Sequence, residues 1–331
     1  MLNGKTIMIT GGTGSFGHHF VEYVLAHYEP KKIIIYSRDE YKQFVMAEEY
    51  KEHKKILRFF IGDVRDQYRL KRAMDGVDFV VHAAALKQVP ACEYNPNEAV
   101  KTNVNGAMNV INSALDCNVK KVIALSTDKA VNPINLYGGT KLVSDKLFCA
   151  ANAYSRIDGT IFSVVRYGNV AGSRGSVIPF FKNLIERGER ELPITDFRMT
   201  RFWISLEEGV KLVIKALDTS SGGEVFISKI PSFKITDLAD ALLPGCIKKE
   251  VGIREGEKLH EVMITREDSF HTYEYDENYI IYPHYDWFAP KDIVPGGRLV
   301  EQGFEYSSGT NTEWLSIDQL RDRLNTDLDE H

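Results

Sequence analysis

Short runs of β-branched and aromatic residues alternate with longer amphipathic stretches over the first two-thirds of the chain. The runs predict β-strands over residues 5–10, 31–37, 56–61, 77–83, 119–126 and 160–166. The stretches predict α-helices over residues 16–28, 40–53, 66–75, 97–117, 136–153 and 176–188. Because strands that alternate with helices at this spacing build a parallel sheet with helices on both faces, the pattern predicts an α/β fold with a Rossmann-like, doubly wound parallel sheet.

The pattern becomes less regular after about residue 170. It indicates strand-and-loop segments over 192–204 and 245–256, and helices near 205–218, 235–243 and 256–264. A final amphipathic helix is predicted over 316–326, with Leu315, Leu320 and Leu324 facing inward. We therefore expect a dinucleotide-binding Rossmann domain over residues 1–170 and a smaller α/β C-terminal substrate lobe over 171–331, partly interwoven with the first unit.

The composition argues against several kinds of partner. The 331 residues carry a formal net charge of −5 and a pI near 6.0, so neither nucleic acid nor an anionic membrane surface would attract the chain. No apolar run approaches the ~18 residues that a membrane-spanning helix needs. The four cysteines lie far apart and lack the spacing of a metal site, so we expect free thiols, no bound metal and a cytoplasmic location.

A glycine-rich segment follows the first predicted strand and begins the first predicted helix. In this context Gly11 permits a tight turn, Gly14 lets backbone N–H groups approach a pyrophosphate, and Gly17 permits close packing of the helix on the strand. The helix N-terminus adds a partial positive charge that favours phosphates. The segment predicts a dinucleotide site whose first contacts are Gly11, Thr13, Gly14, Ser15, Phe16 and Gly17.

The ends of the next three strands indicate which dinucleotide binds. The second strand ends at Ser37-Arg38, and a serine followed by an arginine suits a 2′-phosphate. Asp39 is a competing signal for an unmodified ribose, so NADP is favoured over NAD without excluding it. Asp63-Val64, after the third strand, is placed to meet the adenine edge. Ala83-Ala84-Ala85, after the fourth, supplies the small side chains that a close backbone approach requires.

The fifth predicted strand leads into Thr127-Asp128-Lys129, and Tyr137 and Lys141 follow on the next helix. A Tyr-x-x-x-Lys spacing places both side chains on one helix face, one turn apart, so the Lys141 ammonium should lower the pKa of the Tyr137 phenol. Tyr137 can then take a proton from a substrate hydroxyl while hydride leaves the carbon beneath it. Asp128 and Lys129 are additional acid and base groups, which indicates a second step at a neighbouring carbon.

The Gly-x-x-Gly-x-x-Gly form, the Tyr-x-x-x-Lys pair and the Ser-Thr-Asp segment between them together resemble the extended short-chain dehydrogenase/reductase family. Within it, Thr-Asp-Lys in place of the Thr-Asp-Glu of dTDP-glucose 4,6-dehydratases resembles the inverting UDP-N-acetylglucosamine 4,6-dehydratases, which serve pseudaminic acid and related capsular or flagellar sugar synthesis. The resemblance covers nearly the whole chain, least clearly residues 271–300. Further matching phrases are Ala85-Leu-Lys87-Gln-Val-Pro90, Tyr94-Asn-Pro96, Asp128 to Tyr137, Arg166-Tyr-Gly-Asn-Val170, Gly172 to Val177, Arg198-Met-Thr-Arg-Phe-Trp203 and Gly256-Glu-Lys-Leu-His-Glu261.

The resemblance implies a role for each reactive residue. Tyr137 would remove the C4 hydroxyl proton during oxidation to a 4-keto sugar, with Thr127 hydrogen-bonded to the C4 oxygen. Lys129 would then remove the C5 proton, and Asp128 would protonate the departing C6 hydroxyl. Hydride would return to C6, and protonation of C5 from the opposite face would invert that centre. Because an amine acts as a base at neutral pH only when its pKa is lowered, we expect burial or a like charge to lower the pKa of Lys129.

The resemblance also implies the substrate and the assembly. UDP-N-acetylglucosamine is the expected substrate, and a homo-oligomer, often a hexamer among similar proteins, is the expected assembly. A guanidinium fits a diphosphate, which adds a physical argument for Arg254. The implied nucleotide-sugar contacts are Lys87, which would also reach the cofactor, Asn169, Thr195, Arg254 and Glu257.

Three alternatives remain open. Hydride could return to C4 after the elimination and release a 5,6-ene sugar, with the same residues around the reacting carbons. A simple 4-epimerase is disfavoured, because Asp128 and Lys129 would then have no task. A non-catalytic NADP-binding sensor is disfavoured as well, because a sensor needs no proton relay.

Overall fold

The computed structural model describes residues 1–156, 158–171, 176–285 and 293–326. Its strands are β1 (Thr6–Thr10), β2 (Lys32–Ser37), β3 (Leu57–Ile61), β4 (Phe79–His82), β5 (Lys121–Thr127), β6 (Ile161–Tyr167), β7 (Glu191–Ile194), β8 (Thr200–Phe202), β9 (Val225–Ser228), β10 (Ser232–Lys234), β11 (Ile247–Glu250), β12 (Val262–Ile264), β13 (Thr272–Glu274), β14 (Asn278–Ile281), β15 (Arg298–Leu299) and β16 (Tyr306–Ser307). Its α-helices are α1 (Ser15–His27), α2 (Glu40–Glu49), α3 (Gln67–Met74), α4 (Val89–Tyr94), α5 (Pro96–Val100), α6 (Gly106–Asp116), α7 (Leu136–Ala151), α8 (Val177–Glu186), α9 (Leu206–Thr219), α10 (Ile235–Leu242) and α11 (Ile317–Thr326). A π-helical turn, Lys101–Asn105, joins α5 to α6. Within these described ranges, no helix is both long and apolar enough to cross a membrane.

Among the described residues, ten strands form one sheet in the order β15-β13-β14-β9-β6-β5-β4-β1-β2-β3. The strands from β3 to β9 in this order run parallel, and β14 pairs antiparallel with β9. In the middle of the sheet, Thr10 lies opposite both Tyr36 and His82. The chain therefore starts at the centre and winds outward in both directions, which confirms the Rossmann-like doubly wound sheet.

Burial explains why the central strands have almost continuous apolar sequences. Every residue of β1 is buried, as are Ile33, Ile34 and Ile35 of β2. A strand covered on both faces needs apolar side chains at successive positions rather than at alternate ones. Helix α1 packs against α9, whereas α3 packs against α6 and α6 against α7. The two groups cover opposite faces of the sheet, as right-handed crossovers in both directions from β1 require.

The C-terminal part of the chain has a second apolar core, which includes Phe181, Trp203, Leu238 and Leu320. Helices α8, α10 and α11 and the strands β7 and β10 contribute to it, and these two strands pair with β11 and β8. The predicted inward positions of the last helix, Leu315, Leu320 and Leu324, are all buried. However, β9 and β14 also come from this part and belong to the main sheet. The main sheet therefore contains strands from both sides of residue 170. The division of the chain into two domains at that residue stays a prediction.

The strands and helices predicted up to residue 188 are all present, with shifted ends and with the π-helical turn inside the helix predicted over 97–117. The helix predicted over 256–264 is wrong, because these residues form a loop that leads into β12. Gly256 has a φ of +77°, in the left-handed region, which a right-handed helix does not use. The pattern does not predict β9, β13 or β14, whose three or four residues are too few to show a period.

Candidate active site

A cleft of about 1200 Å³ runs along the carboxyl ends of the parallel strands, where ligands bind in open α/β sheets. One side, here called the sheet-edge wall, consists of the segments that follow β1 to β6. The opposite side, here called the lobe wall, consists of Ile235 and of lining residues within 176–183, 193–206 and 254–261. The cleft therefore lies between the main sheet and the C-terminal part of the chain.

Nearly all the predicted site residues line this cleft. The predicted cofactor contacts that line it are Gly11, Thr13, Gly14, Ser15, Phe16, Gly17, Ser37, Arg38, Asp63, Val64, Ala83, Ala84, Ala85, Lys87, Tyr137 and Lys141. The predicted substrate contacts Lys87, Asn169, Thr195, Arg254 and Glu257 line it too, as do Thr127 and Lys129. Asp128 does not line the cleft, because its side chain is buried beside those of Thr127 and Lys129. Of the matching phrase Gly172 to Val177, residues 172–175 lie outside the described residues.

The glycine-rich turn is packed too tightly to carry side chains. A Cβ on Gly11, whose φ is +69°, would lie 2.9 Å from the backbone of Ala84. A Cβ on Gly17 would lie 2.2 Å from the carbonyl oxygen of Gly12. Gly14 precedes α1, and no side chain among the described residues caps this helix. The N-terminal N–H groups of α1 therefore face the cleft in the manner that suits a diphosphate.

The end of β2 presents a mixed set of charges. Arg38 is exposed, and its Nη1 lies 3.6 Å from Oδ2 of Asp63. Asp63 also accepts a 2.7 Å hydrogen bond from Nη2 of Arg65; burial opposes its ionisation, but the arginine contacts prevail and lower its pKa. Asp39 caps α2 by accepting a hydrogen bond from the backbone N–H of Lys42. Because its carboxylate is engaged at that helix end, Asp39 is a weaker competitor for a ribose hydroxyl than its position in the sequence indicates.

The reactive side chains after β5 form one hydrogen-bonded group. Oδ1 of Asp128 accepts hydrogen bonds from the Thr127 hydroxyl at 2.8 Å and from Nζ of Lys129 at 3.2 Å. Nζ of Lys129 also donates to Oδ1 of Asn169 at 3.0 Å. Oδ2 of Asp128 is buried and has no hydrogen-bond partner in the described part of the chain. This oxygen lies 3.6 Å from the position that a Cβ on Gly168 would take, and Met263 and Phe202 lie 3.1 Å from the same position.

The expected effect of Lys141 on Tyr137 is not found. Burial raises the pKa of Tyr137 to about 12, and the positive charge that partly opposes this rise is that of Lys129. Burial lowers the pKa of Lys141, and its Nζ donates a 2.7 Å hydrogen bond to the carbonyl oxygen of Leu125. The prediction that Lys141 lowers the pKa of Tyr137 is therefore wrong for this arrangement. Helical spacing places the two residues on one face, but it does not fix the direction of the lysine.

The expectation of a lowered pKa for Lys129 is also wrong. Burial favours the neutral amine, but the carboxylates of Asp128 and Glu261 outweigh burial and raise the pKa of Lys129. Oε1 of Glu261 lies 3.5 Å from Nζ of Lys129, and it lies 3.5 Å from Nε of Arg201 as well. The sequence reasoning missed Glu261 and Arg201 as site residues. Both lie in sequence segments that match the resembled family, and this match could have identified them. The wrongly predicted helix over 256–264 gave Glu261 a wrong position.

Two further buried polar residues support the catalytic helix from behind. Asp145 follows Tyr137 and Lys141 at helical spacing, accepts a 2.7 Å hydrogen bond from the Ser126 hydroxyl, and lies 3.6 Å from Nη2 of Arg166. Asn103, in the π-helical turn, donates a 3.0 Å hydrogen bond to the hydroxyl of Thr140 on α7 and exchanges hydrogen bonds with the backbone of Leu86. The helical spacing of Asp145 from Tyr137 and Lys141 could have identified it as a site residue. Nothing in the sequence pattern singled out Asn103.

A hydrogen bond fastens the lobe wall to the start of α7. Asn135 caps α7 by accepting a 2.8 Å hydrogen bond from the backbone N–H of Gly138, and its side-chain amide donates to the carbonyl oxygen of Gly256 at 2.8 Å. A Cβ on Gly256 would lie 3.1 Å from that of Asn135. This contact lies between Arg254 and Glu257 in the chain, so it positions both residues relative to Tyr137.

Comparison with known proteins identifies relatives over almost the full length. The polysaccharide biosynthesis protein family matches residues 7–283. A protein of Campylobacter jejuni strain 81-176 named UDP-N-acetylglucosamine 4,6-dehydratase (inverting) is 56% identical, with 98% of each chain covered. A protein of Rickettsia canadensis named UDP-glucose 4-epimerase is 43% identical, with 97% of this chain and 96% of that one covered. The X-ray structure of Pen from Bacillus thuringiensis superposes with a TM-score of 0.89 at 35% identity over 99% of both chains.

These matches confirm the resemblance drawn from the motifs. The dehydratase relative is the subgroup that Thr127-Asp128-Lys129 indicated, and its similarity extends across both walls of the cleft. The chain belongs to the polysaccharide biosynthesis protein family.

Proposed function

We propose that this chain is a nucleotide-sugar dehydratase that acts on UDP-N-acetylglucosamine, removes water across C5 and C6, and inverts C5. The observation that carries the proposal is the hydrogen-bonded pair of Asp128 and Lys129 at the carboxyl end of β5, near Tyr137, with Lys129 lining the cleft and Asp128 buried beside it. An oxidation at C4 alone needs neither of these two groups. The name of the 56% identical Campylobacter jejuni relative supports the same reaction.

NADP is the cofactor that we propose. The tight glycine turn and the uncapped start of α1 suit its diphosphate, and exposed Arg38 is available for a 2′-phosphate. When bound, an oxidised nicotinamide ring supplies positive charge and a hydride acceptor that returns the hydride within one turnover. Substituting Arg38 with Ala should weaken NADP binding by about 10- to 100-fold, as expected for a lost charged hydrogen bond, and leave NAD binding unchanged. Equal losses for both dinucleotides, measured by calorimetry, would count against the 2′-phosphate contact.

Tyr137 and Thr127 account for the chemistry at C4. With its pKa raised to about 12, Tyr137 is a neutral phenol at neutral pH. A positive charge beside the phenol favours its ionised form, so the proton-accepting form needs cationic surroundings. Lys129 supplies one such charge, and Thr127 adds a hydrogen-bonding contact that acts in the same direction. Tyr137 would accept the C4 hydroxyl proton, and Thr127 would orient the C4 oxygen.

Asp128 and Lys129 account for the loss of water. Transfer of a proton from Nζ of Lys129 to Oδ1 of Asp128, along their 3.2 Å hydrogen bond, would give a neutral amine and a neutral carboxylic acid. The amine can then take the C5 proton, and the acid can protonate the departing C6 hydroxyl. These two steps return Lys129 to an ammonium and Asp128 to a carboxylate, so protons balance over the elimination. The carboxylates that raise the pKa of Lys129 favour the ion pair, so the neutral pair is a minor, transient state from which the elimination proceeds.

The decisive test is incubation with UDP-N-acetylglucosamine without added cofactor, followed by mass spectrometry. The proposal requires a product lighter by one water. In deuterated water, NMR should show deuterium at C5 and a 6-methyl group; a vinylic signal would instead indicate the 5,6-ene product. Lys129→Ala should keep cofactor binding and abolish water loss. The exposed Lys211→Ala, on α9, is the matched control that should keep full activity.

A 4-epimerase is the second candidate, because the 43% identical Rickettsia canadensis relative carries that name. It predicts a product of unchanged mass that differs only at C4. It also predicts that Lys129→Ala retains turnover, since a single oxidation and reduction at C4 has no use for a C5 base. The same mass measurement therefore separates the two candidates.

We further propose a place in pseudaminic acid or related glycan synthesis, a homo-oligomeric assembly such as a hexamer, and a cytoplasmic location. The inverted, 6-deoxy product suits that kind of sugar. Cys92, Cys117, Cys149 and Cys246 are free thiols, which suits a reducing compartment. Sedimentation analysis of the purified protein tests the assembly.

A further inference from the structure

Glu261 is a buried acid that the proposed chemistry does not use. It precedes β12, and only 2% of its surface is exposed. Its Oε1 lies between two cations, 3.5 Å from Nζ of Lys129 and 3.5 Å from Nε of Arg201. Its Oε2 is buried without a hydrogen-bond partner among the residues that the structure describes. An ionised carboxylate is costly to bury, so its position beside Lys129 calls for an explanation.

The backbone fixes both members of the Glu261–Arg201 pair. Nη1 of Arg201 donates to the carbonyl oxygens of Thr200 at 2.7 Å and Leu259 at 3.3 Å. The backbone N–H of Glu261 donates to the Ser308 hydroxyl at 2.9 Å, and its carbonyl oxygen accepts from the N–H of Ser308 at 2.8 Å. Glu261 is therefore held in place independently of Lys129, and it presents a preset negative charge to that amine.

The charges that face Lys129 come from several elements. Asp128 lies on the same turn, Glu261 precedes β12, Arg201 lies on β8, and Tyr137 lies on α7. Lys258, in the loop before Glu261, is a further cation of this group, and burial lowers its own pKa. Asp128 and Glu261 are the two carboxylates that favour the charged form of Lys129, whereas Arg201 opposes it. If Glu261 were neutral, Asp128 would be the remaining carboxylate within this group.

We infer that Glu261, fixed by Arg201, is a positioning residue that keeps one proton shared between Lys129 and Asp128 over the working pH range. The inference rests on the proposed dehydratase function, in which that proton moves from the amine to the acid. Without the negative charge of Glu261, Lys129 loses the proton to solvent at a lower pH. Asp128 then stays ionised and has no proton to give to the leaving hydroxyl.

The test is the pH dependence of water loss in wild type, Glu261→Gln and Glu261→Asp. Glu261→Gln should shift the alkaline limb of the profile to lower pH by about 1 to 3 units, the effect expected for one nearby opposite charge. Glu261→Asp keeps the charge and should keep the limb within the range of the wild type. A Glu261→Gln enzyme whose rate falls by the same factor at every pH would overturn the inference, because a purely structural defect has that signature.

A second measurement does not depend on turnover. Competitive acetylation with acetic anhydride, read by mass spectrometry against pH, gives the midpoint at which Lys129 loses its proton. In wild type this midpoint should exceed the value of about 10.4 typical of exposed lysines, and Glu261→Gln should lower it. If Glu261→Gln does not fold, the wild-type midpoint decides alone, and a value at or below that of exposed lysines contradicts the inference. A wild type that releases no water refutes the proposed function instead, whatever the titration gives.

Discussion

The two walls of the cleft are built in different ways. On the sheet-edge wall, each functional segment follows a parallel strand, so the hydrogen bonds of the sheet bring residues from 11 to 171 to one edge. On the lobe wall, Arg254, Glu257 and Glu261 lie in a loop and at the start of a short strand. That loop is held by individual contacts, such as the one from Asn135 to Gly256. Position along the chain therefore predicts position in space on the first wall but not on the second.

This difference in construction corresponds to a division of the proposed chemistry. The sheet-edge wall carries the proposed cofactor contacts and Tyr137, which need a fixed geometry for hydride transfer. The lobe wall carries the proposed nucleotide-sugar contacts Thr195, Arg254 and Glu257. It also carries Glu261, whose carboxylate lies 3.5 Å from Nζ of Lys129. Reactivity should therefore fail abruptly when the first wall is altered, whereas substrate affinity should change gradually when Thr195, Arg254 or Glu257 is altered.

The largest effect is expected for Tyr137→Phe. Removing the phenolic oxygen deletes the proposed proton acceptor for C4, so turnover should fall by about 100- to 10,000-fold, the usual contribution of a general base. The reaction should stall before any 4-keto species forms, as followed by NMR of the sugar. Tyr154→Phe, at a tyrosine that is 74% exposed, is the matched control. If the Tyr137→Phe enzyme accumulates the 4-keto sugar, Tyr137 is not the proton acceptor of the oxidation step.

Arg254→Ala should affect binding rather than reaction. Loss of a charged hydrogen bond to a diphosphate should raise KM for the nucleotide sugar by about 10- to 100-fold and leave kcat nearly unchanged. The control is Arg198→Ala, an exposed arginine paired with Asp196 and outside the cleft lining. A fall in kcat with an unaltered KM would mean that Arg254 takes part in the chemistry, which contradicts its assignment to substrate binding.

Gly17→Ala tests the rigidity of the sheet-edge wall. The added Cβ would lie 2.2 Å from the carbonyl oxygen of Gly12, so α1 must move away from the turn. We expect a loss of about 1–3 kcal/mol in the free energy of unfolding, as for other overpacked sites, together with weaker cofactor binding. Gly139→Ala, inside α7 with open space around it, should instead be neutral or stabilising. Chemical denaturation of both variants measures the difference, and equal stabilities would show that α1 adapts freely.

The smallest effect is expected for Asn135→Ala. The loss of an N-cap lowers the free energy of unfolding by about 1 kcal/mol, and Gly256 loses its partner on α7. KM should rise modestly because Arg254 and Glu257 become less well positioned. Ser316→Ala removes a comparable cap from α11, where Ser316 accepts a hydrogen bond from the N–H of Gln319. The Ser316→Ala control should show the same loss of stability with no change in KM. If KM rises equally in both variants, the Gly256 contact has no specific role in substrate binding.

The sequence predicted the sheet-edge wall from repetition and spacing. Buried strands have long apolar runs, and their ends mark the ligand edge, so Gly11, Ser37 and Ala83 could be placed without knowing any contact. The binding residues of the lobe wall were predicted from the family resemblance, because a loop has no hydrophobic periodicity. The helix predicted over 256–264 was wrong, since Gly256 adopts a left-handed conformation that a helix-like spacing of apolar residues does not reveal.

Electrostatic properties were predicted less well than positions. Tyr137 and Lys129 line the cleft as predicted, yet both pKa values shift opposite to expectation. The pKa of a buried group depends on how deeply it is buried and on charges brought together by the fold. Glu261 is separated from Lys129 by more than a hundred residues of sequence. Sequence spacing contains neither kind of information.

The pairing of β9 with β6 limits where the chain can be divided or exchanged with a relative's sequence. A fragment that stops at residue 170 would keep β5 beside Val164, Val165 and Arg166 but would lose β9, their partner on the other side. An open, apolar strand edge of this kind promotes aggregation. Chimeras that exchange substrate specificity between relatives should therefore replace loops within the lobe wall and keep β9 with its original sheet.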